Sequence, residues 1–401
     1  ECESQAIRIM DTLDLDVTVS VAKKKNVYYK YLRYWHGVLS AFRPDAILLG
    51  DIPHSAYQWV VYCIAKNLGI KTYMYDSVKR IPDRLMVFED FFSYGELAHE
   101  YQKIKEDVAL EDLSPDLREY YKHQTDPLVD SSPVFLKKDY IENAIKNAQL
   151  VPSAGAIIKN IRELTLFKSL TAYMKMFFHK TRVKDLGGHK FYSGLAMKLK
   201  FREWNNIKEK FKKEYELLQT EPDYSKKFIY VALHSQPERS TSAEGDIFVD
   251  QILLIDILRA AIPHDWVIYV KESPFQWIWP RTQVGRYKGY YEEIAGMKNV
   301  VLIPIETSAY DLIEKCEAVG TVSGTVGWEA VLQGKPTLVF GHTWFMHCHG
   351  AFKISGLDSA KAAIEKIQQG FKPDQQKVVN FLAALDKVCI KGHDHHRLNV
   401  G

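Results

Sequence analysis

Apolar and polar positions follow three successive rhythms along the chain. Between residues 28 and 75 they come in short blocks. Residues 28–42 read as an aromatic helix that Arg43-Pro44-Asp45 stops. Ala46-Ile47-Leu48-Leu49 is a continuous apolar run, the pattern of a parallel strand buried on both faces. Residues 51–55 form a loop and 56–68 a helix, with Gly69 suited to the left-handed position just past its end. Residues 70–75 predict a second strand, which completes a βαβ unit.

From about residue 97 to 220 the pattern is helical, with few strand signals and many charges. The α/β rhythm then returns more strongly. Strands are predicted at 228–233, 266–270, 300–303, 318–322 and 337–340. Helices are predicted at 250–261, 309–316, 361–369 and 374–388, and another opens at 328–332. No short repeat and no low-complexity segment interrupts them.

A length of 401 residues exceeds one ordinary domain and suits two. The apolar and charged fractions, 46% and 26%, are those of a soluble globular protein, and a net charge of +3 names no partner. Five scattered cysteines without a CxxC pair fit a reducing compartment. No apolar run approaches the roughly 20 residues that span a bilayer, and no signal peptide is visible, so a cytoplasmic location is expected. The chain opens on Glu1 rather than Met, and the N-terminal domain is expected to lack its first strand.

The most informative segment is 318–330, where an apolar strand runs into Ser323-Gly324-Thr325 and then directly into a helix. Such a turn leaves free amide groups at a helix N-terminus, where the dipole favours an anion. Gly324 permits close approach of a phosphate, the hydroxyls of Ser323 and Thr325 add donors, and Glu329 suits ribose hydroxyls. The same residues also read as a plain βα turn with a capping threonine. Neither a P-loop nor a GxGxxG fingerprint is present, which disfavours a nicotinamide cofactor.

The run SGTVGWEAVLQGKPTLVFGHTWF resembles the signature of bacterial capsule polysaccharide biosynthesis proteins, the group that includes β-Kdo transferases. Leu233-His234-Ser235-Gln236-Pro237-Glu238, Val270-Lys271-Glu272-Ser273-Pro274 and Asn299-Val300-Val301-Leu302-Ile303-Pro304 support it in the same order. The resemblance is good over 227–345, weaker over 28–84, and does not extend to the basic middle. It implies an α/β, GT-B-like fold: two Rossmann-like domains facing a central cleft, with a helical, basic insertion between them. The expected division is 1–90 (acceptor domain), 91–220 (insertion) and 221–401 (nucleotide-sugar domain), the last helix crossing back. The resemblance implies metal-independent sugar transfer from a nucleotide donor, without a cofactor, to a surface polysaccharide or lipid-linked glycan. CMP-Kdo is the donor of the best-known members. The family often has Lys-Glu-His-Pro where this chain has Lys271-Glu272-Ser273-Pro274, which leaves other nucleotide sugars open.

Further site residues follow from that frame. Glu238, just past a strand, is the carboxylate for acid/base work or donor binding, with Gln236 beside it. Lys271, Glu272 and Ser273 are donor-side residues, Lys271 as a point charge for a phosphate. Asp51 and His54 follow the first strand on the acceptor side, where a histidine suits a base for an acceptor hydroxyl. Asp76, Arg80 and Arg84 follow the next strand and would line the same cleft, as would His342. His342, His347, Cys348 and His349 lack the paired spacing of a metal site, and His393, His395 and His396 lie in a polar tail. The basic, aromatic stretch 166–213 reads as a solvated helical face or as a patch for an anionic membrane surface; no motif points to nucleic acid. Two other readings stay open: a nucleotide-sugar epimerase or glycerophosphotransferase-like enzyme, and a non-catalytic partner in polysaccharide assembly or export.

Overall fold

A computed structural model of the chain describes residues 2–14, 18–126, 180–186, 188–279 and 282–392. The N-terminal half is built on β1 (Ala46–Leu49), β2 (Lys71–Ser77) and β3 (Leu85–Phe88). β1 and β2 are parallel, joined by the Ala56–Asn67 helix, and β3 is antiparallel to β2. The first long helix, Val21–Phe42, starts seven residues earlier than the aromatic pattern predicts. Ser20 caps it, its side chain accepting from the Lys23 amide, and Arg43 ends it in the left-handed conformation. Gly69 takes φ +69° just past the second helix. Helices Gly95–Lys103 and Pro115–Thr125 complete this half.

The described part of the middle corrects the purely helical expectation. β4 (Lys180–Asp185) and β5 (Gly188–Ser193) form an antiparallel hairpin before the Gly194–Leu218 helix. Its strands are dominated by polar residues, so no apolar period betrays them. Residues 166–179 of the basic stretch, and His393, His395 and His396, lie outside the described residues. No helix among the described residues is long and apolar enough to cross a membrane.

The C-terminal half is a six-stranded parallel sheet of β6 (Phe228–Ala232), β7 (Val267–Lys271), β8 (Val300–Leu302), β9 (Ala318–Thr321), β10 (Thr337–Val339) and β11 (Ala351–Lys353). Its spatial order, β11-β10-β9-β6-β7-β8, is the 3-2-1-4-5-6 winding of a nucleotide-binding Rossmann sheet. β9 is buried at all four residues and β6 at four of five, so both lie inside the sheet with helices on either face. Chain order reverses between β6 and β9, and that crevice is where such sheets bind ligands.

The final helix, Gln375–Val388, packs against the Gly95–Lys103 helix of the first half, and β12 (Cys389–Ile390) joins the first sheet beside β3. One hydrophobic cluster includes Leu97, Leu117 and Tyr120 of the first half with Trp328, Phe345 and Phe381 of the second. The two α/β halves are therefore fused at the back, and the carboxyl ends of their parallel strands face each other. This is a GT-B-like fold.

Candidate active site between the two halves

The loop after β6 and the turn after β9 leave the sheet on either side of the switch point. Thr325–Leu332 is a helix of eight residues, and Gly324 caps it without any side-chain bond. Gly324, Thr325 and Val326 are partly exposed; the Gly324 amide donates to Thr321 Oγ1 at 3.1 Å and the Gly327 amide to the Gly324 carbonyl at 3.0 Å. The His234 ring stands against Gly324: a Cβ there would lie 3.0 Å from His234 Cε1 and 2.8 Å from Thr321 Oγ1. His234 Nε2 lies 3.0 Å from Thr321 Oγ1, and burial pushes the ring down to about 4, so it is neutral near pH 7. Only glycine fits here without moving that ring.

Ser323 corrects one expectation. Its side chain is buried, and its hydroxyl bonds to the Ser240 carbonyl at 2.9 Å and to Glu244 Oε2 at 3.1 Å. It fixes the shape of the turn and is not a spare donor for a phosphate. Glu329 is also engaged. Its Oε1 lies 3.2 Å from Arg80 Nε, a charge contact across the cleft whose angle falls outside a hydrogen bond. Glu329 and Arg80 therefore pair with each other, where the sequence placed Glu329 on ribose hydroxyls and Arg80 among the residues lining the cleft.

Glu238 is partly exposed and accepts from Ser235 Oγ (2.7 Å) and Ser240 Oγ (2.9 Å). Burial raises its carboxyl above the usual range despite these two hydroxyls, the behaviour wanted of a proton-transfer group. Across the cleft, His54 is about half exposed, and its Nδ1 lies 2.9 Å from the Ile52 carbonyl. A carbonyl can only accept, so Nδ1 carries a proton, and in the neutral ring the lone pair is on Nε2. Asp51 Oδ2 lies 3.6 Å from the same Nδ1, where it would steady a protonated ring.

Asp51 and Asp76 both meet Arg239, which no sequence pattern singled out. Arg239 Nη1 bonds to Asp51, Nη2 bonds to Asp76 Oδ2 at 2.7 Å, and Nε lies 3.0 Å from Glu244 Oε1. Burial pushes Asp76 up, against the opposing pull of Arg239. Burial would likewise raise Glu244, but Lys79, Arg239 and the Ser323 hydroxyl hold it below its ordinary value. Lys79, Arg239 and Glu244 are thus site residues that the sequence reading missed. Lys79 and Glu244 lie in turns and Arg239 opens the four-residue Arg239–Ser242 helix, and only the fold brings them together.

Other expected residues sit elsewhere. Arg84 is 1% exposed and does not line the cleft. It bonds to Asp116 at 2.7 Å, Ser114 at 2.9 Å and Asp386 at 2.8 Å, tying the last helix to the first half. Glu272 is buried and takes a bidentate bond from Arg286 (2.8 and 2.9 Å) and a hydroxyl from Tyr291 (2.6 Å). It is closed to a donor. Gln236 joins that scaffold, accepting from Arg286 Nη1 at 2.7 Å and donating to the Val249 carbonyl at 2.6 Å. Lys271 gives its ammonium to the Thr307 carbonyl, and burial pushes it down to about 8. Ser273 is half-buried, with its amide on Glu272 Oε1. His342 Nδ1 lies 2.9 Å from the Phe92 carbonyl and its ring meets Phe92 edge-on, so it joins the halves. His347 Nε2 lies 2.6 Å from the Ser93 carbonyl, and His349 Nδ1 accepts from the Asp374 amide. Among the described residues no group of three or more His, Cys, Asp or Glu is placed to hold a metal ion.

Comparison with known proteins adds the family. No curated protein matches the chain in sequence. Among solved structures it is similar to the β-Kdo 2,4 transferase of KpsC from Thermosulfurimonas dismutans. That match has 13% identity and a TM-score of 0.34, covering 84% of this chain and 87% of that one. A UDP-GlcNAc 2-epimerase from Methanocaldococcus jannaschii is similar at 11% identity and a TM-score of 0.28, covering 87% and 76%. Neither likeness bears on activity. The capsule polysaccharide biosynthesis protein model, however, matches residues 148–392, which is over half of the chain and contains the whole Rossmann sheet and its turn. The chain belongs to the capsule polysaccharide biosynthesis protein family.

Proposed function

We propose that the protein is a glycosyltransferase that holds a nucleotide sugar at the Ser323–Gly324–Thr325 turn and transfers the sugar to a glycan hydroxyl at the N-terminal half. The observation that carries this reading is the partly exposed glycine turn at the switch point of the sheet, linked through Ser323, Glu244 and Arg239 to Asp51 and Asp76 of the other half. Phosphate oxygens would be met by the first amides of the Thr325–Leu332 helix, with the Thr325 hydroxyl beside them. No metal is invoked, because backbone dipoles and the chain's own cations supply the positive field.

In the reaction, His54 Nε2 takes the proton of the acceptor hydroxyl as its oxygen bonds to the anomeric carbon. The bond from that carbon to the donor phosphate breaks, and the nucleotide leaves with both electrons. Glu238, whose carboxyl is pushed above its ordinary value by burial, serves as the acid or hydrogen-bond donor on the leaving side. A CMP-Kdo-like donor is favoured by the family, and a surface polysaccharide or lipid-linked glycan is the acceptor. A peripheral contact of the 166–213 stretch with an anionic membrane surface would suit such an acceptor.

Incubation with CMP-Kdo and other nucleotide sugars plus an oligosaccharide acceptor tests this. The expected result is an acceptor heavier by one sugar, together with free nucleotide. Glu238→Gln should slow transfer about 100-fold or more while nucleotide binding persists. A free altered sugar or a transferred phosphodiester would instead establish the epimerase or glycerophosphotransferase reading. Polysaccharide assembly that survives both Glu238→Gln and Ser323→Ala, with no donor turnover, would establish the assembly partner.

A further inference from the structure

Arg239 stands where the two halves meet, with three carboxylates on one guanidinium: Asp51, Asp76 and Glu244. Glu244 is buried and accepts from Ser323 Oγ at 3.1 Å, while its backbone carbonyl accepts from the His342 amide at 2.7 Å. A carboxylate therefore lies one hydrogen bond behind the turn that carries Gly324. Left alone, that charge would repel any anion placed on the turn, since a site poor in water screens it weakly. Lys79 adds a positive charge nearby, but it is exposed and makes no ion pair among the described residues. The contact that neutralises Glu244 directly is Arg239 Nε at 3.0 Å.

We infer that Arg239 is a positioning residue for the anionic part of the donor: it neutralises Glu244 behind Ser323, and so allows the turn to accept a phosphate. This rests on the nucleotide reading of the turn. Because Asp51 and Asp76 grip the same guanidinium, the group that neutralises Glu244 also joins the two halves. The donor turn and the acceptor half then share one charge network rather than acting as separate sites.

Calorimetric titration of the full chain with CMP and UDP, and with cytidine and uridine as uncharged controls, tests the inference. Arg239→Met should weaken nucleotide binding by about tenfold or more, the scale of a lost charge-assisted contact. Nucleoside binding should be unmoved. Arg239→Met/Glu244→Gln, which removes both charges, should return to within about threefold of the wild type. Should Arg239→Met fail to fold, Glu244→Gln alone remains decisive. It keeps an acceptor for Ser323 and removes the negative charge, so nucleotide should bind at least as tightly as to the wild type.

Unchanged nucleotide affinity in Arg239→Met overturns the inference, as does a double variant no better than the single one, or a loss of about tenfold in Glu244→Gln. Those results leave the nucleotide reading of the turn standing. A wild type that binds neither CMP nor UDP overturns that reading and this inference together.

Discussion

A methyl group on Gly324 would press on Thr321 Oγ1 at 2.8 Å and on the His234 ring at 3.0 Å. Gly324→Ala should therefore cost about 1–3 kcal/mol of stability, the usual penalty of overpacking, measurable by urea unfolding. His234 makes a second prediction. Burial depresses its folded value from 6.5 to about 4, so the unfolded chain takes up its proton first as pH falls. The stability that neutral His234 contributes is complete above about pH 6.5 and lost on the way down to about 4. His234→Gln should flatten the pH dependence of unfolding in that window; an unchanged slope would deny the burial. At this scale the sequence was readable only where local chemistry forces a residue. Glycine between a buried strand and a helix is such a case. Arg239 is not: its partners Asp51 and Asp76 lie 188 and 163 positions away, and an arginine in a polar stretch carries no sign of them. Glu272 misled for the converse reason, since a carboxylate after a strand looks alike whether it faces the cleft or is locked onto Arg286.

Among elements, apolar runs were legible, although burial did not always follow: β1, which reads as buried on both faces, is an edge strand with Leu48 69% exposed. β6 and β9 are buried on both faces and stand out as apolar runs, and the Gln251–Ala261 and Gln375–Val388 helices are announced by the capping aspartates Asp250 and Asp374. β3, β11 and the two-residue β12 are short, and the β4–β5 hairpin is polar, so periodicity passes over them. The last helix docks on the first half through apolar residues such as Phe381 and Leu385, beside Leu97, and through the ion pairs of Arg84. That guanidinium is buried between Asp116 and Asp386, each about a third exposed. Arg84→Met should destabilise the chain by about 3 kcal/mol, the low end for breaking a buried ion pair because both carboxylates can rehydrate. Nucleotide affinity of the folded fraction should not change. A stable variant with weakened nucleotide binding would instead return Arg84 to the cleft.

For the whole molecule, the fused core at the back and the charge contacts at the front divide the labour. Trp328, Phe345 and Phe381 join the halves without reference to any ligand. Arg239 and the Arg80–Glu329 pair close the front, where ligands would enter. On the proposed function, substrate chemistry would lie on the facing sides of the two halves. Everything depends on the turn after β9 holding a phosphate. The most direct measurement is thermal unfolding of the full chain with CMP, CDP, UDP or GDP, beside the matching nucleosides. At 100 times its dissociation constant a bound nucleotide stabilises by about 2.7 kcal/mol. If the turn holds a phosphate, Tm rises clearly with at least one nucleotide, stays level with its nucleoside at the same concentration, and does not rise in Gly324→Ala. A melting temperature indifferent to all four nucleotides, or raised equally in Gly324→Ala, would contradict it.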